Sequence, residues 1–138
     1  MKLELTRTGA MAFEAVSEDG VKLNIDGPEK YGGVGSGMRP MEMFLASLAG
    51  CASIDVVLIL EKQKHTLTSL RVSVEGTRAD AIPAVYESVH LRYEVGGEIP
   101  DNKLQRAVKL SVEKYCSVAS MLLPSVVVTW EAHAATDS

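Results

Sequence analysis

Apolar and polar residues alternate through "KLELTRT" (residues 2 to 8), through "AMAFEAV" (10 to 16) and, after "SEDG", through "VKLNID" (21 to 26). A period of two puts every second side chain on one face of a strand, so three short strands in a meander are predicted. "GPEKYGGVGSGMRP" (27 to 40) then breaks every period with five glycines and two prolines and reads as a loop. From Pro40 to about Lys64 there is no further proline and a single glycine, and the stretch closes on "EKQKH". Lysines there suit a helix C-terminus, and one helix of roughly 24 residues, about 36 Å long, is predicted. Its apolar positions (Met41, Phe44, Leu45 and Leu48, then Ile54 and Val56 to Ile59) wrap nearly all round. Such a helix must be buried on most faces, more than a monomer of 138 residues easily manages, which points to a partner subunit.

"LTSLRVSVEGTRA" (67 to 79) and "AVYESVHLRYEVG" (84 to 96) return to period two with β-branched residues and predict two more strands. "DNKLQRAVKLSVEKYC" (101 to 116) has helical spacing through Leu104, Ala107, Val108, Leu110 and Val112, with Asp101 as the expected N-cap after Pro100. "SVASMLL" continues as a further short helix before Pro124, "SVVVTWEAH" (125 to 133) is a closing strand, and "AATDS" is expected to fray. The order βββ, α, ββ, α, β marks an α+β fold.

Length and charge narrow the classes. At 138 residues one domain spanning 1–138 is expected. With 14 basic against 18 acidic side chains the net charge is −4, with no lysine or arginine cluster, so nucleic acid is not an expected partner. Residues 41 to 60, "MEMFLASLAGCASIDVVLIL", have the length of a membrane span. Glu42 and Asp55 would be costly in lipid, and Ser47, Gly50 and Ser53 weaken the case further. A buried helix and no membrane partner are expected. "MKLELTRTGAMAFEAV" has no apolar core of a signal peptide, which places the protein in the reducing cytoplasm. There a cysteine pair is more often transient and catalytic, or simply two free thiols, than a structural staple.

Cys51 and Cys116 are the first candidates for chemistry, 65 positions apart with no CxxC motif. Structural zinc needs four closely spaced Cys or His ligands, and His65, His90 and His133 stand apart in the sequence, so no metal and no cofactor are expected. No local motif supports a Cys/His nucleophile. A redox pair fits better. A thiol in an apolar helix is normally inert because its thiolate is desolvated, so attack by Cys51 on an O–O bond would need a cationic or hydrogen-bonding neighbour. The sulfenic acid so formed can condense with a second thiol, provided the fold brings the two Cα atoms to within about 7 Å. Against this stands plain packing, since free cysteine is among the most buried residue types. Asp55, four residues after Cys51, shares its helix face; its charge would raise the thiol pKa, which favours a structural bond or a subunit contact. "YGGVGSG" (31 to 37) lacks the lysine and spacing of a phosphate loop and is read as a mobile lid over the cysteine pocket. The six methionines read as core fillers, with Met38, Met41 and Met43 able to line an apolar substrate mouth, and Trp130 reads as packing.

"PMEMFLASLAGCASIDVV" (40 to 57), followed 65 residues on by "KYCSVASML" (114 to 122), resembles the OsmC/Ohr family of osmotically induced and organic-hydroperoxide-resistance thiol peroxidases, in particular its members with P-M-E-hydrophobic and then G-C-x-x-I-D-V in the helix. The resemblance rests on a proline eleven residues before a cysteine in a long apolar helix, on the distance to the second cysteine, and on the element order. It implies an OsmC-like fold, antiparallel sheets wrapped around a long central helix in an intertwined homodimer. It also implies Cys51 as the peroxidatic and Cys116 as the resolving cysteine, an organic hydroperoxide as substrate and an external dithiol as reductant. The family's activating glutamate falls on Met41, with Glu42 one place on. The family's arginine has Arg39 and Arg7 as candidates here, Arg39 slightly preferred. A non-enzymatic dimer on the same fold, binding or sensing an apolar small molecule, is the alternative.

Overall fold

The computed structural model describes residues 1–136, so of the tail expected to fray Asp137 and Ser138 lie outside the described residues. The chain is α+β, as expected. It forms two compact units, Met1–Phe44 and the remainder from Leu45.

In the first unit the three predicted strands appear as β1 (Leu3–Arg7), β2 (Ala12–Ser17) and β3 (Lys22–Asp26), an antiparallel meander in sequence order. Leu5 pairs with Ala15 and Ala15 with Leu23, so the alternation sets an apolar row across the sheet. That row stays open: Leu3, Leu5 and Leu23 are exposed, and every residue of β1 is. The loop after β3 has an anchor that its glycine content hides. Asp26 is buried, and its carboxylate accepts hydrogen bonds from the backbone N–H groups of Gly27, Val34 and Ser36 and from the Ser36 hydroxyl, at 2.8 to 3.0 Å. The Ser36 and Val34 amides, donating to the charged form, hold this carboxyl down at about 2. Glycine is required where the loop folds back on itself: a Cβ on Gly33 would stand 1.8 Å from the Gly27 carbonyl oxygen. The loop expected as a mobile lid is thus gathered around its own carboxylate.

Helix α1 (Pro40–Lys62) starts at the predicted residue and ends two residues before the predicted limit. Lys64 takes the left-handed conformation, φ 65°, and the His65 N–H returns to the Leu60 carbonyl at 2.9 Å, a Schellman-type stop. Burial on most faces was expected of it. The structure instead buries a single stripe, Leu48, Ala52, Val56 and Leu60, because residues four apart stack on one side of a helix and this chain covers only that side. Ile54 remains 64% and Leu58 58% exposed.

In the second unit β4 (Ser69–Arg78) pairs antiparallel with β5 (Tyr86–Gly96), and β6 (Val127–Ala134) pairs with β5 in parallel. The parallel edge departs from the expected antiparallel sheets. Its cause is the crossover of α2 (Asp101–Leu110) and α3 (Ser117–Leu122), which carries the chain back to start β6 in the direction of β5. β5 is therefore the middle strand, and Val89, Leu91, Tyr93 and Val95 make its buried face together with Leu104, Ala107 and Val108 of α2. Asp101 opens α2 as its first helical residue while Pro100 occupies the cap, so the expected N-cap is one place off.

The opposite face of β5 is polar. Histidines that stand apart in the sequence meet there. Register pairs Arg92 with Glu131 and Glu94 with His133, and the Nε2 atoms of His90 and His133 donate to the two oxygens of Glu131 at 2.7 and 2.6 Å. These two bonds, the His90 one first, hold Glu131 down at about 2.

Candidate thiol site

Cys51 lies in the middle of α1, half-buried, beside the buried stripe of that helix. Cys116 reaches it by an irregular route. The helix predicted over 101 to 116 is α-helical to Leu110 and then widens into a π-helical turn, Ser111–Tyr115. The Ser111 hydroxyl donates to the Ala107 carbonyl at 2.7 Å, and the Cys116 N–H reaches back five residues to the Ser111 carbonyl at 2.8 Å. A π turn adds one residue to a helical turn and re-aims the chain beyond it, and such turns recur at functional sites. Here it delivers Cys116, fully buried, to the head of α3.

The two thiols are hydrogen-bonding neighbours. Burial pushes the Cys116 thiol from its ordinary 9.0 up to about 11. The Ala119 N–H, donating to its sulfur at 3.4 Å, pulls the other way, and the bond to Cys51 adds to the rise. The Leu48 carbonyl, 4.0 Å away, is a second acceptor for the same S–H. The raised Cys116 thiol thus faces Cys51 as a hydrogen-bond donor.

Tyr93 of β5 feels the two thiols and, from α1, Ser53 and Asp55. Tyr93 is fully buried, and its hydroxyl lies beside the Ser53 side chain. Burial raises its pKa, and the Ser53 hydroxyl beside it acts in the opposite direction. Tyr93 was not singled out in the sequence, although it is the one polar-tipped residue among the inward positions Val89, Leu91 and Val95. Ser53 also lines a shallow apolar dent with Ile54, Val57 and Leu58.

The other expected site residues lie in the first unit, where they serve local ends. The Glu42 carboxylate accepts the Arg39 backbone N–H at 3.1 Å, capping the start of α1. Arg39 and Glu42 are thus joined through the backbone of one and the carboxylate of the other. The Arg7 guanidinium donates to the carbonyls of Gly9 and Ala10, both at 3.0 Å, and holds the β1–β2 turn. Met41 takes part in an interaction of its own. Among the described residues no three His, Cys, Asp or Glu side chains converge as metal ligands would.

The sequence profile of the family described as OsmC-like protein matches residues 33–131. Protein YhfA of Escherichia coli (strain K12) is 41% identical over 91 residues, 65% of this chain and 68% of that protein. A hypothetical protein from Aquifex aeolicus VF5 superposes with a TM-score of 0.82 at 30% identity over 96% of both chains. An organic hydroperoxide resistance protein OsmC from Legionella pneumophila does so with a TM-score of 0.72 at 19% identity, again over 96% of both chains, a likeness of fold.

Proposed function

The chain belongs to the OsmC-like protein family, and on that premise we propose that it is a thiol peroxidase acting on organic, lipid-like hydroperoxides through Cys51 and Cys116. The observation that carries this reading is the meeting of two thiols 65 residues apart, one half-buried and one fully buried. The Cys51 thiolate attacks one oxygen of ROOH, the O–O bond breaks, and the alkoxide leaves and takes a proton to become ROH. Cys51 is then a sulfenic acid, two electrons oxidised. The Cys116 sulfur attacks it, water leaves, and a 51–116 disulfide forms. An external dithiol, available in a reducing cytoplasm, returns both thiols. The substrate class is that named for the hydroperoxide resistance proteins of the same fold.

The active form is a homodimer on this reading. Its support is apolar surface that one chain leaves open on α1, Ile54 and Leu58.

One equivalent of cumene hydroperoxide should remove two free thiols per chain, with peptide mapping finding Cys51 joined to Cys116. Reduced protein that consumes no hydroperoxide and keeps both thiols would overturn the peroxidase. It would favour a second reading, a non-enzymatic dimer binding or sensing an apolar small molecule, for which the dent lined by Ile54, Val57 and Leu58 is the supporting observation.

A further inference from the structure

The outer side of the π-helical turn Ser111–Tyr115 is tied to the last strand. The Trp130 indole N–H of β6 donates to one oxygen of the Glu113 carboxylate at 2.8 Å, and the Lys109 ammonium donates to the other at 2.9 Å. Trp130 is in register with the buried Leu91, so its ring stands on the face of β6 that meets α2. Phenylalanine would give ring packing there without an N–H, and alanine is the better helix former at 113, so neither packing nor propensity accounts for the pair. Gln105, Lys109 and Glu113 follow one another at intervals of four, a spacing that stacks them along one side of a helix. At the far end of that row Gln105 donates to the Ala132 carbonyl of β6 at 2.8 Å. The segment is thus held to β6 both before the π turn and within it.

Beyond the turn comes Cys116, three residues after Glu113. Its N–H returns to the Ser111 carbonyl at 2.8 Å, and its sulfur lies 4.0 Å from the Leu48 carbonyl of α1, three residues before Cys51. The sulfur is thereby set against α1 within one turn of Cys51.

We propose that Glu113, gripped by the Trp130 indole, is the positioning residue for Cys116: it fixes the π turn against β6 and so aims the resolving sulfur at Cys51. This deepens the peroxidase reading and rests on it. The step it serves is the second one. The Cys116 sulfur bonds to the sulfenic sulfur of Cys51 as the S–O bond breaks, and the hydroxide so released leaves as water with the Cys116 proton. A disulfide tolerates little error in the placing of its two residues. Were the π turn to tighten to regular α-helical closure, everything after it would swing round the helix axis and carry Cys116 away from Cys51. The Lys109 ammonium first and the Trp130 indole second hold the Glu113 carboxyl below its ordinary range, which keeps it the charged and therefore stronger acceptor at neutral pH.

The test is Glu113→Ala in the full chain, treated with one equivalent of cumene hydroperoxide. Dimedone trapping reads the Cys51 sulfenic acid, and loss of the second thiol reads the disulfide. We expect sulfenic acid to form within about twofold of the wild-type rate and the disulfide about tenfold more slowly, so that trapped sulfenic acid accumulates. Glu113→Gln keeps an oxygen for the indole and should restore most of the lost rate. Lys109→Ala, which removes an exposed ion pair, should stay within about twofold of wild type. Trp130 replaced by 3-benzothienylalanine, an indole shape with sulfur in place of the N–H, should repeat the Glu113→Ala result and carries the test if that variant does not fold. Slowing of both steps together, Glu113→Gln as slow as Glu113→Ala, or wild-type disulfide formation without the Trp130 N–H would each overturn the positioning role and leave the peroxidase standing. A wild-type protein that consumes no hydroperoxide overturns both.

Discussion

The two sheets begin from the same pattern and end differently. Leu3, Leu5 and Leu23 alternate with polar residues as regularly as Val89, Leu91, Tyr93 and Val95 do, yet the first set is exposed and the second buried. Alternation decides which side chains share a face. It does not decide whether anything covers that face. The sheet of β4 to β6 is covered because its own crossover carries α2 and α3 back over it and because α1 contributes a stripe to the same core. The sheet of β1 to β3 has only a short loop after it, and that loop is organised by the Asp26 carboxylate rather than by apolar contacts. A region closed by apolar contact can hold a thiol away from water. Both cysteines lie in the closed region, Cys116 fully buried within it.

The contrast breaks most visibly in the core. Leu91→Ala removes a fully buried side chain and should cost about 2–5 kcal/mol, whereas Leu5→Ala on the open face should change stability by no more than about 0.5 kcal/mol. Urea unfolding measures both. A cost at Leu5 comparable to that at Leu91, growing with protein concentration, would mean that a second copy covers the first sheet. Leu58→Glu tests the exposed side of α1 in the same sense: sedimentation should report a homodimer for the wild-type chain and a monomer for the variant, with the thiols still meeting.

Reactivity should separate the two sulfurs within the closed region. At pH 7.5 iodoacetamide should label Cys51 at least tenfold faster than Cys116, read by mass spectrometry of peptides. Cys116 should gain reactivity only as pH approaches its value of about 11. Equal labelling at neutral pH would sink the assignment of attacking and resolving thiols.

Acid gives the smallest effect and touches both regions. Asp26 is held at about 2 from an ordinary 3.8, and Glu131 at about 2 from an ordinary 4.5. A depressed carboxyl contributes stability that is fully present above its unfolded value and is lost as pH falls through its folded one. Melting temperature should therefore decline between about pH 4.5 and 2. Asp26→Asn should flatten the part of that decline belonging to the first unit, and Glu131→Gln the shallower part belonging to the polar face of β5. Amide exchange at Val34 and Ser36 should quicken in Asp26→Asn alone.

Much of the fold is legible in the pattern of residues. Helix α1 ends two residues from its predicted limit, and all six strands fall within the predicted stretches to within a residue at the ends, because period and punctuation are local properties. The π turn before Cys116 is not legible, since one extra residue in a helical turn leaves no mark in a pattern of apolar positions. Nor are the capping of α1 by Glu42 or the meeting of His90 and His133 on Glu131, each of which depends on how the backbone brings groups together.

The amino-acid order alone determined the list of elements, the face each side chain takes, and the identity of the two sulfurs. These come from backbone periods and from short-range sterics, which act within a few residues. The tertiary structure alone decided that the sulfurs meet and that one of them is fully buried while the other is half-buried. Burial and hydrogen bonding act through space, and chain separation carries no information about either.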